Sequence, residues 1–379
     1  MAHDQAIDVL HLIGTLSPGG AERNLCYLAP EFARSKIRYG VCCLIGRGEL
    51  ADEIERSGVP VFELGYRRRH AARTVLRLSH LLRAKRVKVL HTHLFEAGVI
   101  GRIGAWHARV PVVIAHEHGR TLWKRWYHRM FERLAAGGTD LRIAVSEDIL
   151  TRRVRLEHTP KSKMRIVFNA VDPAPFEIDQ AGREAKRREL GLSNLFAIGT
   201  VGRLVEAKSY DLLLDVAREV SSKRPDARFL IAGDGPLADH LKRLRASQGL
   251  EERVMLLGAR RDIPGLMAAM DVYVITSKEE GLPLALIEAM MSAKAIVSTG
   301  VGGIPDTLTD GVDSVVVKPG SREALAGAVL ELMDDPERRR QLGENARKTA
   351  VARYSPERVI AELEAIYTET LTRKGITLQ

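Results

Sequence analysis

Residues 71–91 read AARTVLRLSHLLRAKRVKVLH, and this stretch sets the pattern on which the rest of the chain is built. Ala71, Val75, Leu78 and Leu82 fall on one face at helical spacing, with Arg73, Arg77 and His80 opposite, so the first part predicts an amphipathic helix. VKVLH at 87–91 then gives a short apolar run, the mark of a buried parallel strand. Similar runs occur at 9–13 (VLHLI), 41–45 (VCCLI), 110–115 (VPVVIA) and 141–145 (LRIAV), with helix candidates between them. Repeated strand and helix units of this kind imply a doubly wound, parallel α/β domain.

At Arg165 the run RIVF leads into Asn169–Pro175, where Pro173, Pro175 and polar turn residues interrupt any regular element and mark a linker. A second series follows at 196–202 (FAIGTVG), 228–233 (RFLIAG), 254–258 (VMLLG), 272–276 (VYVIT), 295–299 (AIVST) and 314–317 (SVVV). Helical sequence from Ser321 to Arg373 closes the chain. The 379 residues are therefore expected to form two Rossmann-like domains, 1–175 and 176–354, with a helix in 355–379 returning to the first. Two such domains facing a central cleft would take a ligand at the carboxyl ends of their strands.

With 45% hydrophobic and 28% charged residues the chain can bury two cores, which excludes wholesale disorder. No stretch approaches the roughly 18 to 20 uncharged apolar residues of a membrane span, and the N-terminus lacks the pattern of a secretion signal. Cys26, Cys42 and Cys43 show neither Cys-x-x-Cys nor zinc-ligand spacing, as expected for a reducing, cytoplasmic setting. The formal charge of +10 is uneven: residues 1–175 hold 29 Lys and Arg against 17 Asp and Glu, the remainder 29 against 31. A basic first half favours an anionic surface or ligand, although an Arg-rich soluble face gives the same count.

The segments that follow the apolar runs are where chemistry is expected. Gly19-Gly20 opens a helix after the first run; glycine lets a ligand approach and free helix N–H groups attract phosphate, but read alone the pair is equally a tight turn. Gly202-Arg203 ends a strand with Lys208 close behind, a guanidinium and an ammonium suited to a diphosphate, or else plain surface charge. Gly233-Asp234-Gly235-Pro236 ends another strand with turn residues. The most specific stretch is 276–290, TSKEEGLPLALIEAM, in the order strand, loop, proline, apolar helix. Glu280 precedes the helix and Glu288 is expected two turns inside it, about 10 Å away at a rise of about 1.5 Å per residue. That span fits the sugar and the ribose of a nucleoside diphosphate sugar, with the helix N-terminus holding the diphosphate. A dipole partner and a solvated helix residue are the plainer readings, yet Leu286, Ile287, Ala289 and Met290 surround Glu288 with apolar neighbours.

His116-Glu117-His118 follows VPVVIA and invites a metal. No third ligand is evident nearby and the two rings are expected on opposite faces of the extended chain, so no metal is assigned. One ring is given a hydrogen-bonding or acid/base role near a reacting sugar. His91 and His93 form a similar pair, one of them a structural residue at a strand end. The chain lacks GxxxxGK(S/T), GxSxG, HExxH and Asp-x-Asp, which removes P-loop enzymes, the corresponding hydrolases and carboxylate-metal sugar transferases.

Taken in order, LSPGGAERN at 16–24, AVSEDI at 144–149, FNAVD at 168–172, Gly202-Arg203 with Lys208, GDGPL at 233–237, EGLPLALIE at 280–288 and VGGIPD at 301–306 give the chain its kinship. Over nearly its whole length it resembles the retaining glycosyltransferases of family 4, which have the GT-B fold. The resemblance implies that Arg203 and Lys208 grip the donor diphosphate and stabilise charge on the leaving group, the main electrostatic work of such a transfer. It implies that Glu280 holds hydroxyls of the transferred sugar and Glu288 the nucleotide ribose, with the N–H groups of Gly281 and Leu282 assisting. Gly202 belongs to the same donor loop, Gly19 and Gly20 would approach the donor phosphate, and His118 would stand by the reacting sugar, with His116 as its alternative. Ser209 departs from the pattern, since glycine is usual there.

The resemblance further implies a nucleotide diphosphate sugar as co-substrate, such as a UDP- or GDP-sugar, with no metal or other cofactor. The first domain would hold a glycan or lipid-linked acceptor, most commonly in bacterial surface polysaccharide or glycolipid synthesis. Tyr66–Lys88 carries nine basic residues and no acid, and Leu122–Phe131 interleaves bases with aromatics, the composition of a peripheral contact with the inner face of the cytoplasmic membrane. The same fold also serves nucleotide-sugar epimerases and pyridoxal-phosphate phosphorylases, and a non-catalytic nucleotide-sugar-binding protein is a further alternative. No nucleic-acid-reading motif is present, so no nucleic-acid partner is expected.

Overall fold

In the computed structural model, residues 5–67, 70–119 and 136–378 are described. The chain divides into two units, Met1–Ala170 with Pro356–Gln379, and Val171–Ser355. It passes from one to the other inside the proline-bearing segment that follows RIVF.

The first unit is built on β1 (Val9–Thr15), β2 (Tyr39–Gly46), β3 (Val61–Glu63), β4 (Val89–His93), β5 (Val112–Glu117), β6 (Leu141–Ala144) and β7 (Met164–Ile166). These pair in the order β3-β2-β1-β4-β5-β6-β7, every pairing parallel. Strand β3 is absent from the sequence reading because three residues are too few to show a period. The helix of the opening stretch spans Ala71–Ala84; Leu78 and Leu82 are buried and Arg73 and Arg77 exposed, as its amphipathic face requires.

The closing helical sequence is three helices, Arg322–Asp334, Pro336–Tyr354 and Pro356–Thr372. A proline stands at the first position of the second and third, where it lacks an N–H that the helix would not use and blocks continuation of the preceding one. The third belongs to the first unit. Its Val359, Leu363, Ile366 and Tyr367 are buried in one core with Leu25, Phe32 and Val41, and the Tyr367 hydroxyl lies 2.6 Å from His91 Nδ1.

The second unit contains β8 (Phe196–Val201), β9 (Ala227–Ala232), β10 (Val254–Gly258), β11 (Val272–Ile275), β12 (Ala295–Thr299) and β13 (Val315–Val317), in the order β10-β9-β8-β11-β12-β13 and again all parallel. Four loops beyond its strand ends interlock in pairs through glycine. A Cβ on Gly233 (φ +147°) would stand 1.9 Å from the carbonyl oxygen of Gly202, and one on Gly302 (φ +61°) would stand 2.0 Å from that of Glu280. Only glycine permits these backbone crossings. Ser209 takes a left-handed conformation at φ +50°, which is why glycine suits this position. The Thr276 hydroxyl holds the turn by donating to the carbonyls of Lys208 (2.9 Å) and Ser209 (3.1 Å).

Within the first core, His11 of β1, His91 and His93 of β4, and His116 and His118 at the end of β5 lie side by side on one face of the sheet, adjacent rings 4.2 to 5.4 Å apart. Burial pushes His11 down to about 3 and His118 to about 4 from an ordinary value of 6.5, and moves the other three in the same direction. The unfolded chain takes up protons below about pH 6.5 that the folded rings refuse, so their contribution is complete above that pH and is lost as pH falls toward about 4. Each ring accounts for up to about 1.4 kcal/mol per pH unit in this window. Urea unfolding at a series of pH values between about 7.5 and 4.5 should show this decline, with a shallower slope for His118→Gln; stability independent of pH would contradict a buried neutral cluster.

Candidate functional site

In the second sheet β8 and β11 are neighbours, and their following connections diverge to opposite sides, which opens a crevice beyond their carboxyl ends. Gly202 and Arg203 follow β8, and Thr276 to Glu280 follow β11. The crevice brings together residues 72 positions apart: Lys208 Nζ donates to Glu280 Oε1 at 2.7 Å, and Ser277 Oγ donates to the same oxygen at 2.6 Å. The Glu280 side chain is 7% exposed and that of Lys208 23%, so the ammonium offsets a carboxylate that would otherwise be desolvated without compensation. Oε2 of Glu280 makes no hydrogen bond among the described residues. Arg203 is exposed and, among the described residues, makes no ion pair. Tyr210 lines the same crevice, its hydroxyl kept protonated first by burial and then by the charge of Glu280.

Neighbouring loops fix the Glu280 segment. Thr299 Oγ1 donates to the Ser277 carbonyl at 2.8 Å, the Gly303 amide to the Gly281 carbonyl at 2.8 Å, and the Lys278 amide to the Ala207 carbonyl at 2.8 Å. Ser277, Thr276 and the Gly302-Gly303 pair, quoted within motifs but given no individual role by the sequence reading, are thus packed against the Glu280 segment. Leu282 is buried beside Gly281. The following helix starts only at Leu284, with Pro283 extended as its N-cap. Glu288 consequently stands about one turn inside it, not two as the sequence suggested. It is 6% exposed, which removes the reading as a solvated helix residue.

In the first unit the same rule points to the ends of β1, β4 and β5. The helix Gly20–Arg34 begins just after β1 with Gly19 as N-cap. A Cβ on Gly20 would meet nothing within 4 Å, and one on Gly19 would meet only the mobile end of Glu22. Packing thus demands neither glycine, which leaves both open to a ligand. Leu94, directly after β4, has φ +67° and ψ 175°, a conformation essentially confined to glycine and most often retained where function requires it.

His116 and His118 stack with ring centroids 4.2 Å apart, which corrects the expectation of opposite faces: residues two apart in a strand share a face. Glu117 between them points away and pairs with Arg153 at 2.5 Å. The third imidazole missing from the local sequence comes from the adjacent strand, where His93 Nδ1 is 2.8 Å from His118 Nε2. His118 is the member reachable from solvent, being half-buried while His93 and His116 are buried. Because burial holds it neutral, it suits a hydrogen-bonding role better than that of a general acid.

The basic stretch is only partly surface. Lys85 is buried with its ammonium over the Phe62 ring, and Lys88 pairs with Asp8, whereas Arg73, Arg77, Arg83 and Arg86 are exposed. Arg68, Arg69 and the aromatic segment Leu122–Phe131 lie outside the described residues.

Family models match on both sides of the linker: "Glycosyltransferase Family 4" over residues 18–175 and "Glycosyl transferases group 1" over residues 182–349. Among curated relatives, the α-D-kanosaminyltransferase of Streptomyces kanamyceticus is 29% identical over 78% of this chain and 81% of its own. The UDP-Gal:α-D-GlcNAc-diphosphoundecaprenol α-1,3-galactosyltransferase of Escherichia coli is 28% identical over 69% and 70%. Among solved structures, Anabaena HepE in complex with UDP and glucose superposes with a TM-score of 0.86 at 23% identity, covering 96% of this chain and all of its own. Two wholly parallel α/β sheets and that likeness make the fold GT-B, and the chain belongs to the family 4 glycosyltransferases.

Proposed function

We propose that the protein transfers a sugar, with retention of anomeric configuration, from a nucleotide diphosphate sugar to a glycan or lipid-linked acceptor in the assembly of bacterial surface polysaccharide or glycolipid. The observation that carries this reading is the contact of Lys208, Ser277 and Glu280 at the β8/β11 crevice. A buried carboxylate there has one oxygen committed and the other available to sugar hydroxyls, beside an ammonium and the exposed Arg203 for the diphosphate. Glu288 receives the ribose, and the N–H groups of Gly281 and Leu282 assist at the sugar or phosphate. His118, in the first unit with Gly19 and Gly20, stands by the reacting sugar. A UDP-sugar is the first donor to try, since the E. coli relative is named for UDP-Gal and Anabaena HepE was solved with UDP-glucose.

In the proposed chemistry the bond from C1 to the donor phosphate oxygen breaks as the acceptor oxygen bonds to C1 on the same face. The leaving phosphate oxygen takes the acceptor proton, so no protein nucleophile is needed. Arg203 and Lys208 stabilise the charge that develops on the diphosphate, a preorganised term that raises the rate because it is felt most in the transition state. The reaction uses no metal.

Peripheral membrane binding belongs to the same proposal. The helices Ala71–Ala84 and Phe95–Ala108 pack together and leave Leu76 57%, Ile103 48% and Trp106 80% exposed, near Arg73, Arg77 and Arg83. Apolar side chains among guanidinium groups suit the cytoplasmic leaflet of an anionic membrane.

With a UDP-sugar panel and product analysis, Lys208→Ala and Glu280→Gln should each lower transfer by about 100-fold or more. Glu280→Gln keeps the Ser277 contact and the fold, whereas Lys208→Ala leaves the carboxylate underpaired and costs about 1–3 kcal/mol in urea unfolding. Full activity in either variant would refute these roles. Transfer should proceed at an unchanged rate in excess chelator, and its loss there would count against the mechanism. In flotation with anionic vesicles at low salt, Trp106→Ser should weaken binding about 10-fold or more; a wild-type chain that stays unbound would sink the membrane assignment.

A further inference from the structure

We propose that the hollow beside Lys208 and Glu280 is a site for one neutral hydroxyl oxygen, and that Tyr210 is the residue that holds it there. The inference rests on the reading of this crevice as the nucleotide-sugar donor site. The hollow has a volume of about 10 Å³, and Lys208, Tyr210, Tyr273, Ser277 and Glu280 are among its walls. That volume takes one water-sized group and excludes a sugar ring or a whole phosphate. Tyr210 opens the helix Tyr210–Lys223 and is 2% exposed, with its ring in the core of the second unit. Its hydroxyl nevertheless makes no hydrogen bond among the described residues. Tyr273, equally buried on the same hollow, donates to the Val201 carbonyl at 3.2 Å. A buried hydroxyl without a partner is costly, and a phenylalanine would fill the same space. An oxygen in the hollow accounts for the tyrosine where packing does not.

Local backbone aims the hydroxyl. The left-handed Ser209 sets Tyr210 directly behind Lys208, and Thr276 holds the carbonyls of Lys208 and Ser209, so one anchored turn carries both side chains to the hollow. Gly202 keeps the approach open: a Cβ there would stand 3.1 Å from the Tyr210 hydroxyl and 3.8 Å from Lys208 Nζ. The chemistry of the walls then selects the occupant. Tyr210 offers an O–H, and Lys208 has three N–H groups, one of them given to Glu280 Oε1. Oε2 of Glu280 can only accept. An oxygen that accepts from Tyr210 and Lys208 and donates to Glu280 belongs to a water or an alcohol. A phosphate oxygen has no proton to give and would meet the carboxylate unpaired, and a cation would meet the ammonium. The oxygen has two sources. A water retained in the hollow makes Tyr210 a positioning residue for the Lys208–Glu280 pair, whereas a hydroxyl of the transferred sugar brings Tyr210 into direct contact with the donor.

The test compares the full wild-type chain with Tyr210→Phe, thermal melts confirming that the variant is folded. Crystal structures of both without nucleotide should show one oxygen in the wild-type hollow, within about 3.2 Å of the Tyr210 hydroxyl, and none in the variant. In a wild-type complex with a UDP-sugar, an oxygen that stays separate is the water, and one replaced by a sugar hydroxyl identifies the sugar. In solution, Tyr210→Phe should lower UDP-sugar turnover by about 10-fold, through kcat if a water positions the pair and through KM if the sugar enters the hollow. UDP alone, which lacks the sugar, should bind the variant within about twofold of the wild type. An empty hollow in the wild type, an oxygen that persists in Tyr210→Phe, or undiminished turnover by that variant overturns the proposal. A wild type that binds no nucleotide refutes the donor reading instead, and the nucleotide-free crystals still decide the hollow.

Discussion

A parallel sheet turns the carboxyl end of every strand toward one edge, and both sheets of this protein are wholly parallel. Helices cover the faces, so that edge is where backbone leaves regular structure and side chains of different loops can meet. Each sheet also reverses its winding once, at β1/β4 and at β8/β11, and the diverging connections open a crevice that packing does not fill. Lys208, Ser277 and Glu280 gather at one switch point, and His11, His91 and His93 at the other.

The two places solve the burial of polar groups differently. At β8/β11 a carboxylate with little solvent is held by an ammonium and a hydroxyl on one oxygen, which leaves its second oxygen available. Its position is over-determined by backbone: Gly302 crosses the Glu280 carbonyl closely, and Gly303 donates to Gly281. At β1/β4 and β5 burial outweighs the one opposite charge that acts there, that of Glu117 on His118, and drives five imidazoles to the neutral form. Neutral rings can stack at 4 to 5 Å where cations would repel, and they keep lone pairs for a partner.

Much of the fold was legible because a buried parallel strand has to be apolar throughout and its covering helix apolar on one side, and both constraints are local. VPVVIA and FAIGTVG announce β5 and β8 for that reason, whereas three-residue β3 leaves no readable period. The ordered loop motifs made the family legible too. Less of the site was visible. Glu288 was placed a turn too deep because the sequence does not say that Gly281–Pro283 stays outside the helix, which begins at Leu284. Lys85 and Lys88 counted as surface charge until the fold put one over Phe62 and the other against Asp8.

The sequence by itself determined the α/β class, the two alternating series and the loops that carry chemistry, since periodicity and turn residues act over a few positions. Only the tertiary structure decided that Lys208 and Glu280 share a proton-donor contact, that His93 completes the pair on β5, and that Tyr367 from the last helix caps His91. Those contacts join residues 72, 25 and 276 positions apart. Strand order brings them together, and strand order depends on which apolar faces find one another when the chain collapses, a choice no local stretch encodes.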